Sequence, residues 1–282
     1  MIMKTTPIIL LRGGGDLATG VAMRLHRCGL KVIITELPQP LAVRRLVSFC
    51  EAVYRGQITV EGLTARLAAD PDEAIHILQT GEIPVLIDPQ CETLHPPHST
   101  LHPPSFTPHA LVDARMTKRP PGLGMDAAPL VIGLGPGFVA GENCHAAIET
   151  NRGHYLGRVI WDGAPQPNTG IPGAVTQKQS QRVLRAPADG ILHNLIEIGA
   201  AVKSGQLIAE VDGQPILAPF DGILRGLLHD GLTVKRGLKL GDVDPRNDPQ
   251  YALTVSEKAL AIGGGVLEAL LTRPALRSQL WT

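Results

Sequence analysis

Aromatic residues are scarce in this chain. Phe, Trp and Tyr supply 3% of its 282 residues, so a core of the size this length permits must be built from Leu, Ile, Val and Ala. Charge bias is missing too. Lys and Arg number 26 and Asp and Glu 26, and a chain without net charge sets up no global field toward nucleic acid or anionic lipid. Long apolar runs are absent. The opening MIMKTTPIILLRGGGD falls short of the roughly 7–15 apolar residues of a signal peptide and the about 20 of a membrane span. A cytoplasmic protein with no membrane or nucleic-acid partner is therefore expected. Cys28, Cys50, Cys91 and Cys144 contain no CxxC pair, which excludes a local zinc or redox motif and reads as reduced thiols. His95, His98, His102 and His109 lie in CETLHPPHSTLHPPSFTPH. Prolines fix that backbone against converging four rings on one ion, so it reads as an extended surface loop and no metal site is expected.

Glycine and proline, by contrast, are plentiful and mark the chain into units. PIILL (7–11) reads as a buried parallel strand. RGGGD then leads into a helical pattern over 17–28 carrying Ala18, Val21, Ala22 and Leu25, and VIIT (32–35) is a second strand ending at Glu36. Gly13, Gly15 and Ala18 give the GxGxxA form of a dinucleotide turn, with Gly14 between. In that motif one glycine makes the turn, the next admits a pyrophosphate, and an acid about 20 residues on holds the ribose, here Glu36. Asp16 at the helix start pulls the other way, since it would cap free N–H groups and repel phosphate. The GGG-acid turn resembles the siroheme-synthase type of NAD-dependent dehydrogenase. Bound NAD(P) and a turn kept for packing are both open readings.

Further along, a helix is expected over 38–49, short strands at 52–54 and 57–60, a helix from Asp70 to Gly81 and a strand over 84–88. The strand 110–115 ends in Asp113-Ala114-Arg115, where a doubly wound sheet would face its ligand. Asp113 and Arg115 are either site residues or a structural ion pair. The stretch 129–173 carries the densest chemistry. Gly133, Gly135 and Gly137 follow an apolar strand and could present bare N–H groups to an anion. Glu149-Thr150-Asn151-Arg152-Gly153-His154 and Asn168-Thr169-Gly170 come next. A hairpin turn between strands 146–150 and 156–161 is the plainer reading of the first cluster.

The second half repeats itself. RAPADGIL (185–192) recurs as LAPFDGIL (217–224), and GAAVKSGQLIAEV from Gly199 aligns without a gap on GLTVKRGLKLGDV from Gly231. Glycine-rich strands duplicated at this spacing make a small all-β unit. The pattern resembles the biotinyl/lipoyl barrel-sandwich hybrid. Its hairpin tip, 211–215, has no lysine to carry a prosthetic group, which implies a rigid module. A last helix over 256–271 contains Gly263-Gly264-Gly265, which asks for close backbone approach or an exposed anion site.

The expected fold is thus α/β. A Rossmann-like doubly wound domain (1–150) and a junction segment (151–182) precede a barrel-sandwich-hybrid-like module (183–245). A C-terminal segment (246–282) then packs its helix back on the first domain.

RGGGDLATG, VIGLGPGFVAG, IETNRGHYLG, PNTGIPG, RAPADG, KLGDVDPR and SEKALAIGGGVLEALL together resemble the YqeB family, end to end. That resemblance implies a maturation factor for a selenium-dependent molybdenum hydroxylase and supplies no mechanism; the residues add the expectation that it binds an anionic pterin dinucleotide or its precursor at the domain junction. Asp113-Ala114-Arg115 adds a weaker likeness to the XdhC type of molybdenum-cofactor chaperone. On this reading Gly13, Gly14, Gly15, Gly133, Gly135 and Gly137 would cradle phosphate. Arg152 would neutralise charge by a forked contact, and Glu149, Thr150, Asn168 and Thr169 would bond a pterin or ribose edge. His154, with Glu149, is the catalytic candidate near neutral pH. Two alternatives stay open: an NAD(P)-dependent oxidoreductase acting on a cofactor precursor, and a docking scaffold for the apo-hydroxylase. A homo-oligomer is compatible with either.

Overall fold

The computed structural model describes residues 6–92, 106–119, 121–167 and 182–280. The first part runs β1 (Ile8–Arg12), α1 (Asp16–Arg27), β2 (Lys31–Glu36), α2 (Ala52–Arg55), β3 (Gln57–Val60), β4 (Leu63–Ala68), α3 (Pro71–Gln79) and β5 (Ile83–Ile87). It continues with β6 (Ala110–Asp113), β7 (Val131–Leu134), β8 (Ala146–Ile148) and β9 (Val159–Ile160). These strands form one nine-stranded sheet in the order β3-β4-β5-β2-β1-β6-β7-β8-β9. The six pairings from β4 to β8 are parallel, and the edge strands β3 and β9 are antiparallel.

Continuous apolar strands suit a sheet covered on both faces, and alternation decides which residue faces which layer. Ile9 and Leu11 of β1 join a core with Val21, Ala22 and Leu25 of α1, whereas Leu10 joins Ile77 and Leu78 of α3 on the opposite face. Asp70 starts α3 by accepting a 2.8 Å hydrogen bond from the Glu73 amide, with Pro71 at the first helical position.

Then come β10 (Val183–Arg185), β11 (Gly190–Asn194), β12 (Ala201–Val202), β13 (Leu207–Val211), β14 (Gln214–Leu217), β15 (Gly222–Leu227), β16 (Thr233–Val234) and β17 (Lys239–Asp244). They form two four-stranded antiparallel sheets, β10-β17-β15-β12 and β14-β13-β11-β16. The sequence repeat is reproduced strand by strand, and each copy lends strands to both sheets. β12 of the first copy pairs with β15 of the second, and β11 of the first with β16 of the second. Asp189 of the first copy holds Lys235 of the second at 2.8 Å, and Asp221 of the second holds Lys203 of the first at 2.9 Å. The tip between β13 and β14 turns at Asp212 and Gly213, both with positive φ, as an Asp-Gly hairpin requires.

The chain closes with α4 (Gln250–Leu253), α5 (Glu257–Leu271) and α6 (Pro274–Leu280). Helix α5 lies on α1, and the glycines explain how closely. A Cβ on Gly20 would stand 2.7 Å from the Ala259 carbonyl oxygen, and one on Gly263 2.7 Å from that of Gly20. On Gly265 it would stand 2.1 Å from the Gly157 carbonyl oxygen. Gly263 and Gly265 of the triple glycine therefore serve backbone approach. Residue 20 meets 259 and residue 24 meets 263, so the helices run parallel and begin side by side.

Several expectations are corrected. The α/β part is a nine-stranded mixed sheet rather than a Rossmann-like doubly wound domain. No α-helix among the described residues crosses between β6 and β7 or between β7 and β8, and helices on such crossovers are what double winding consists of. Nor is 183–245 a biotinyl/lipoyl-like barrel-sandwich hybrid standing apart. It is two antiparallel sheets, one of which is built into the main body: β15 is buried along its whole length, and a Cβ on Gly226 would meet the Val43 carbonyl oxygen at 2.6 Å. The helix expected over 38–49 is replaced by irregular chain and short 3₁₀ turns, Arg45–Val47 and Phe49–Glu51. Pro38 and Pro40 remove backbone donors there, and Arg44 and Arg45 are pulled into tertiary contacts instead. Residues 52–54, expected as strand, lie in α2. Among the described residues no single helix is long and apolar enough to cross a membrane.

Candidate functional site: a cationic cleft

Between the end of the large sheet, the starts of α1 and α5, and the β10-β17-β15-β12 sheet lies a cavity of about 900 Å³. In a chain with no net charge, its walls are strongly biased. Ten Arg and Lys side chains line it against three carboxylates. Both helices begin there, and helix N-termini add partial positive charge to that of the side chains.

On the sheet side, Arg12 at the end of β1 is 2% exposed. Its Nη2 donates to the Pro89 carbonyl at 2.8 Å, and its Nη1 lies 3.7 Å from Asp113 with no hydrogen-bond partner. Burial, then the neighbouring Arg115, lowers the Arg12 pKa from its usual value. Asp113 is buried and takes Arg115 in a forked contact, Nε to Oδ1 at 3.0 Å and Nη2 to Oδ2 at 2.6 Å. Thus Asp113 positions two guanidinium groups, and only Arg12 and Arg115 reach the cleft. The connection after β6 is strained in the same place: Met116 and Lys118, both lining the cleft, have positive φ.

Across the cleft stand Arg182, Arg185, Arg225 and Lys239, with Arg44 and Asp242 between them. Asp242 lies 3.0 Å from Arg182 and 3.8 Å from Arg225, and Arg44 lies 3.5 Å from Asp16. Arg44 Nε and Arg182 Nη1 are buried without hydrogen-bond partners. Burial, with Arg44 nearby, brings Arg225 down to about 10. Desolvation likewise lowers Lys239 and Lys258 and raises Asp242.

The glycine turn is partly closed. Gly13 and Gly15 line the cleft, but the Gly13 amide donates to Thr35 O at 2.8 Å and the Gly14 amide to Glu36 Oε1 at 2.6 Å. The second oxygen of Glu36 accepts from the Leu37 amide at 2.8 Å. Burial raises the Glu36 pKa from its usual value. Glu36 therefore braces the turn, and both its oxygens are occupied. Asp16 lines the cleft beside Arg44. Thr150 and Arg152 line it as well, and Arg152 pairs with Glu257 at the start of α5.

The remaining candidates do not converge on the cleft. Gly133 makes room for the Phe138 ring, Gly135 for Thr150 and Gly137 for the Arg119 carbonyl; Pro136 alone of that loop lines the cavity. Glu149 accepts from the Asn151 and Gln166 amides, both at 2.7 Å, so its carboxylate fastens two segments rather than serving as a free base. His154 is exposed, edge-on to Tyr155, and outside the cleft lining. Asn168 and Thr169, with His95, His98 and His102, lie outside the described residues. Cys50 lines the cleft, but burial drives its thiol pKa well up, which leaves it protonated and poorly nucleophilic. No group of three or more potential metal ligands occurs among the described residues.

The cationic residues beyond Arg115 and Arg152 escaped the sequence reading. A signal for them existed in the repeat: positions 225 and 239 are Arg and Lys in one copy, His193 and Leu207 in the other.

No family model matches the chain. It is 48% identical over 264 residues to the uncharacterized protein YqeB of Escherichia coli strain K12, a match covering 94% of this chain and 47% of that protein. The similarity supports the YqeB family, and the chain spans about half the length of this relative. Among solved structures, it is similar to an aspartoacylase family protein from Mesorhizobium loti, with 11% identity, 85% of each chain covered and a TM-score of 0.27. It is also similar to the apo ectoine utilization protein EutE of Ruegeria pomeroyi, with 12% identity, 85% of this chain and 86% of that one covered, and a TM-score of 0.24. Scores this low assign neither a fold nor a function.

Proposed function

We propose that the chain is an accessory factor in maturation of a molybdenum hydroxylase and holds an anionic, nucleotide-containing cofactor or its precursor in the cationic cleft. The observation that supports this is the charge of the cleft, with buried guanidinium nitrogens of Arg12, Arg44 and Arg182 left without partners. Each of these guanidinium groups has a partner on another nitrogen, yet a buried nitrogen left unbonded is costly, and an anionic ligand supplies the missing bond. The hydroxylase context rests on the YqeB-family resemblance. The cofactor would be cargo, bringing its own metal–pterin redox chemistry to the hydroxylase. Arg12, Arg115 and Arg182 would hold it, while the parallel starts of α1 and α5 favour its negative charge. The cleft lies within the range of cofactor pockets, roughly 300–1,000 Å³. A nicotinamide-dependent reaction is less well served, because Glu36, its ribose ligand, is bonded to its own backbone on both oxygens.

Purification from cells expressing the hydroxylase, denaturing release and mass spectrometry tests this reading. A phosphate-bearing pterin is expected, and Arg115→Gln should lower its occupancy. Release of a nicotinamide dinucleotide, or of nothing from a chain that also ignores added phosphate compounds, would sink it.

A further inference from the structure

The duplicated β region contains its own control. Its two sheets are built from equivalent strands, one against the cleft and one facing away. What the fold requires should be common to both, and what only the cleft requires should differ. The shared features are structural: the Asp189–Lys235 and Asp221–Lys203 clamps, and the turn glycines Gly199, Gly205, Gly231 and Gly237, all with positive φ.

The differences are chemical and go one way. Arg182, Arg185, Arg225 and Lys239 on the cleft sheet correspond, 32 residues apart, to Gln214, Leu217, His193 and Leu207 on the other. Four cations on one sheet have no cationic counterpart on its twin. Leu207 and Leu217 are 40% and 48% exposed, so these strands accept apolar residues there without burying them. The strand pairing itself does not need the charges: Arg225 also fastens α4 through the Tyr251 carbonyl at 3.0 Å, and all four line the cleft. Arg225 is 7% exposed, Arg182 has a buried Nη1 without a partner, and Asp242 is shared among Arg182, Arg225 and Lys239.

We infer that the β10-β17-β15-β12 sheet carries a second anion subsite, facing the Arg12–Arg115 subsite across the cleft, so that the ligand bears two separate anionic groups. Its class is a molecule with phosphate on one side and a further phosphate or carboxylate on the other. This rests on the proposed cleft function and adds the wall that grips the ligand's far end. Binding would then tie the β region to the large sheet through the ligand.

The test is an amide NMR titration of the full chain with inorganic phosphate at low salt, which reports each subsite separately. Two clusters should move, one at residues 13–16 and one in β17 near Leu240, each with its own dissociation constant. The variant Arg182→Gln/Lys239→Leu gives the cleft sheet the residues of its twin and is therefore compatible with the strands. It should weaken the β17 response about tenfold, the loss expected for hydrogen bonds to charged groups, and leave residues 13–16 within about twofold. Arg115→Gln should do the reverse, and Leu207→Lys on the outer sheet should change neither. Phosphate moving only residues 13–16, or an unchanged β17 response in the double variant, overturns the second subsite and leaves the proposed function standing. Phosphate moving neither cluster in a folded chain overturns both.

Discussion

The two copies in the β region share a backbone and divide the work. Strand β15 of the second copy is buried throughout, whereas its equivalent β11 is half open, with Ile191 44% exposed. Where β11 carries Asn194, β15 carries Gly226, whose missing side chain lets Val43 approach; where β13 carries Ala209, β17 carries Gly241. Duplication supplied a scaffold, and packing against the body decided which sheet gave up side chains for close approach, at Gly226 against Val43 and at Gly241 against Gly226, and which carried the cleft cations, drawn from both copies. Position relative to the body, more than strand propensity, sets these residues.

The sharpest way to break this contrast is to give the packed copy the residue of the open one. Gly226→Asn should destabilise the chain by about 2–3 kcal/mol, because a new Cβ collides with backbone that cannot yield. Asn194→Gly should lose less, about 1 kcal/mol, from backbone entropy and its bond to Leu228 O. Denaturant midpoints check both.

Helix α5 sharpens the same rule. Gly263→Ala should destabilise by about 2 kcal/mol through the contact with Gly20, whereas a Cβ on Gly264 meets nothing within 4 Å. Gly264→Ala should therefore stabilise by about 0.5–1 kcal/mol from helix propensity.

Ligand affinity should separate the two sheets by pH. Lys239 and Lys258 are held below the usual lysine value and Arg225 at about 10, chiefly by desolvation, while burial raises Asp242. An anion favours the protonated form of every one of these groups. Affinity for inorganic phosphate should therefore fall as pH rises toward about 10 and be greatest at the acidic end of the stable range. Arg182→Gln/Lys239→Leu should flatten this profile, while Leu207→Lys leaves it unchanged. Calorimetric titration across pH, with phosphate ionisation accounted for, measures the slope.

The smallest effect should fall where the copies agree. Lys203→Ala and Lys235→Ala each remove one exposed clamp to the other copy. Such pairs are solvated and screened, so neither melting temperature should move resolvably. A large loss in one alone would show that the clamps are not equivalent.

Much of the architecture was open to reading because it follows from local chemistry. Apolar runs at 7–11, 32–35 and 84–88 are strands, Asp70-Pro71 begins a helix, and the 146–161 hairpin forms as its pattern demands. The repeat made a duplicated β region and its Asp-Gly hairpin legible through turn glycines and alternation, while the pairing of strands between copies and their packing into the body came only with the structure. The extra-wide sheet and the site were not legible in this way. Glycines at 133, 135 and 137 look like an anion loop from spacing alone, yet they leave room for Phe138, Thr150 and Arg119. Glu36 looks like a ribose ligand until its turn amides are seen to claim it. The sequence by itself determined the strands, turns and duplication, because these depend on residues near in the chain. Only the tertiary structure decided the cleft, because Arg12, Arg115, Arg182, Arg225 and Lys239 are far apart in the chain and become one field only when folding brings them around the same cavity.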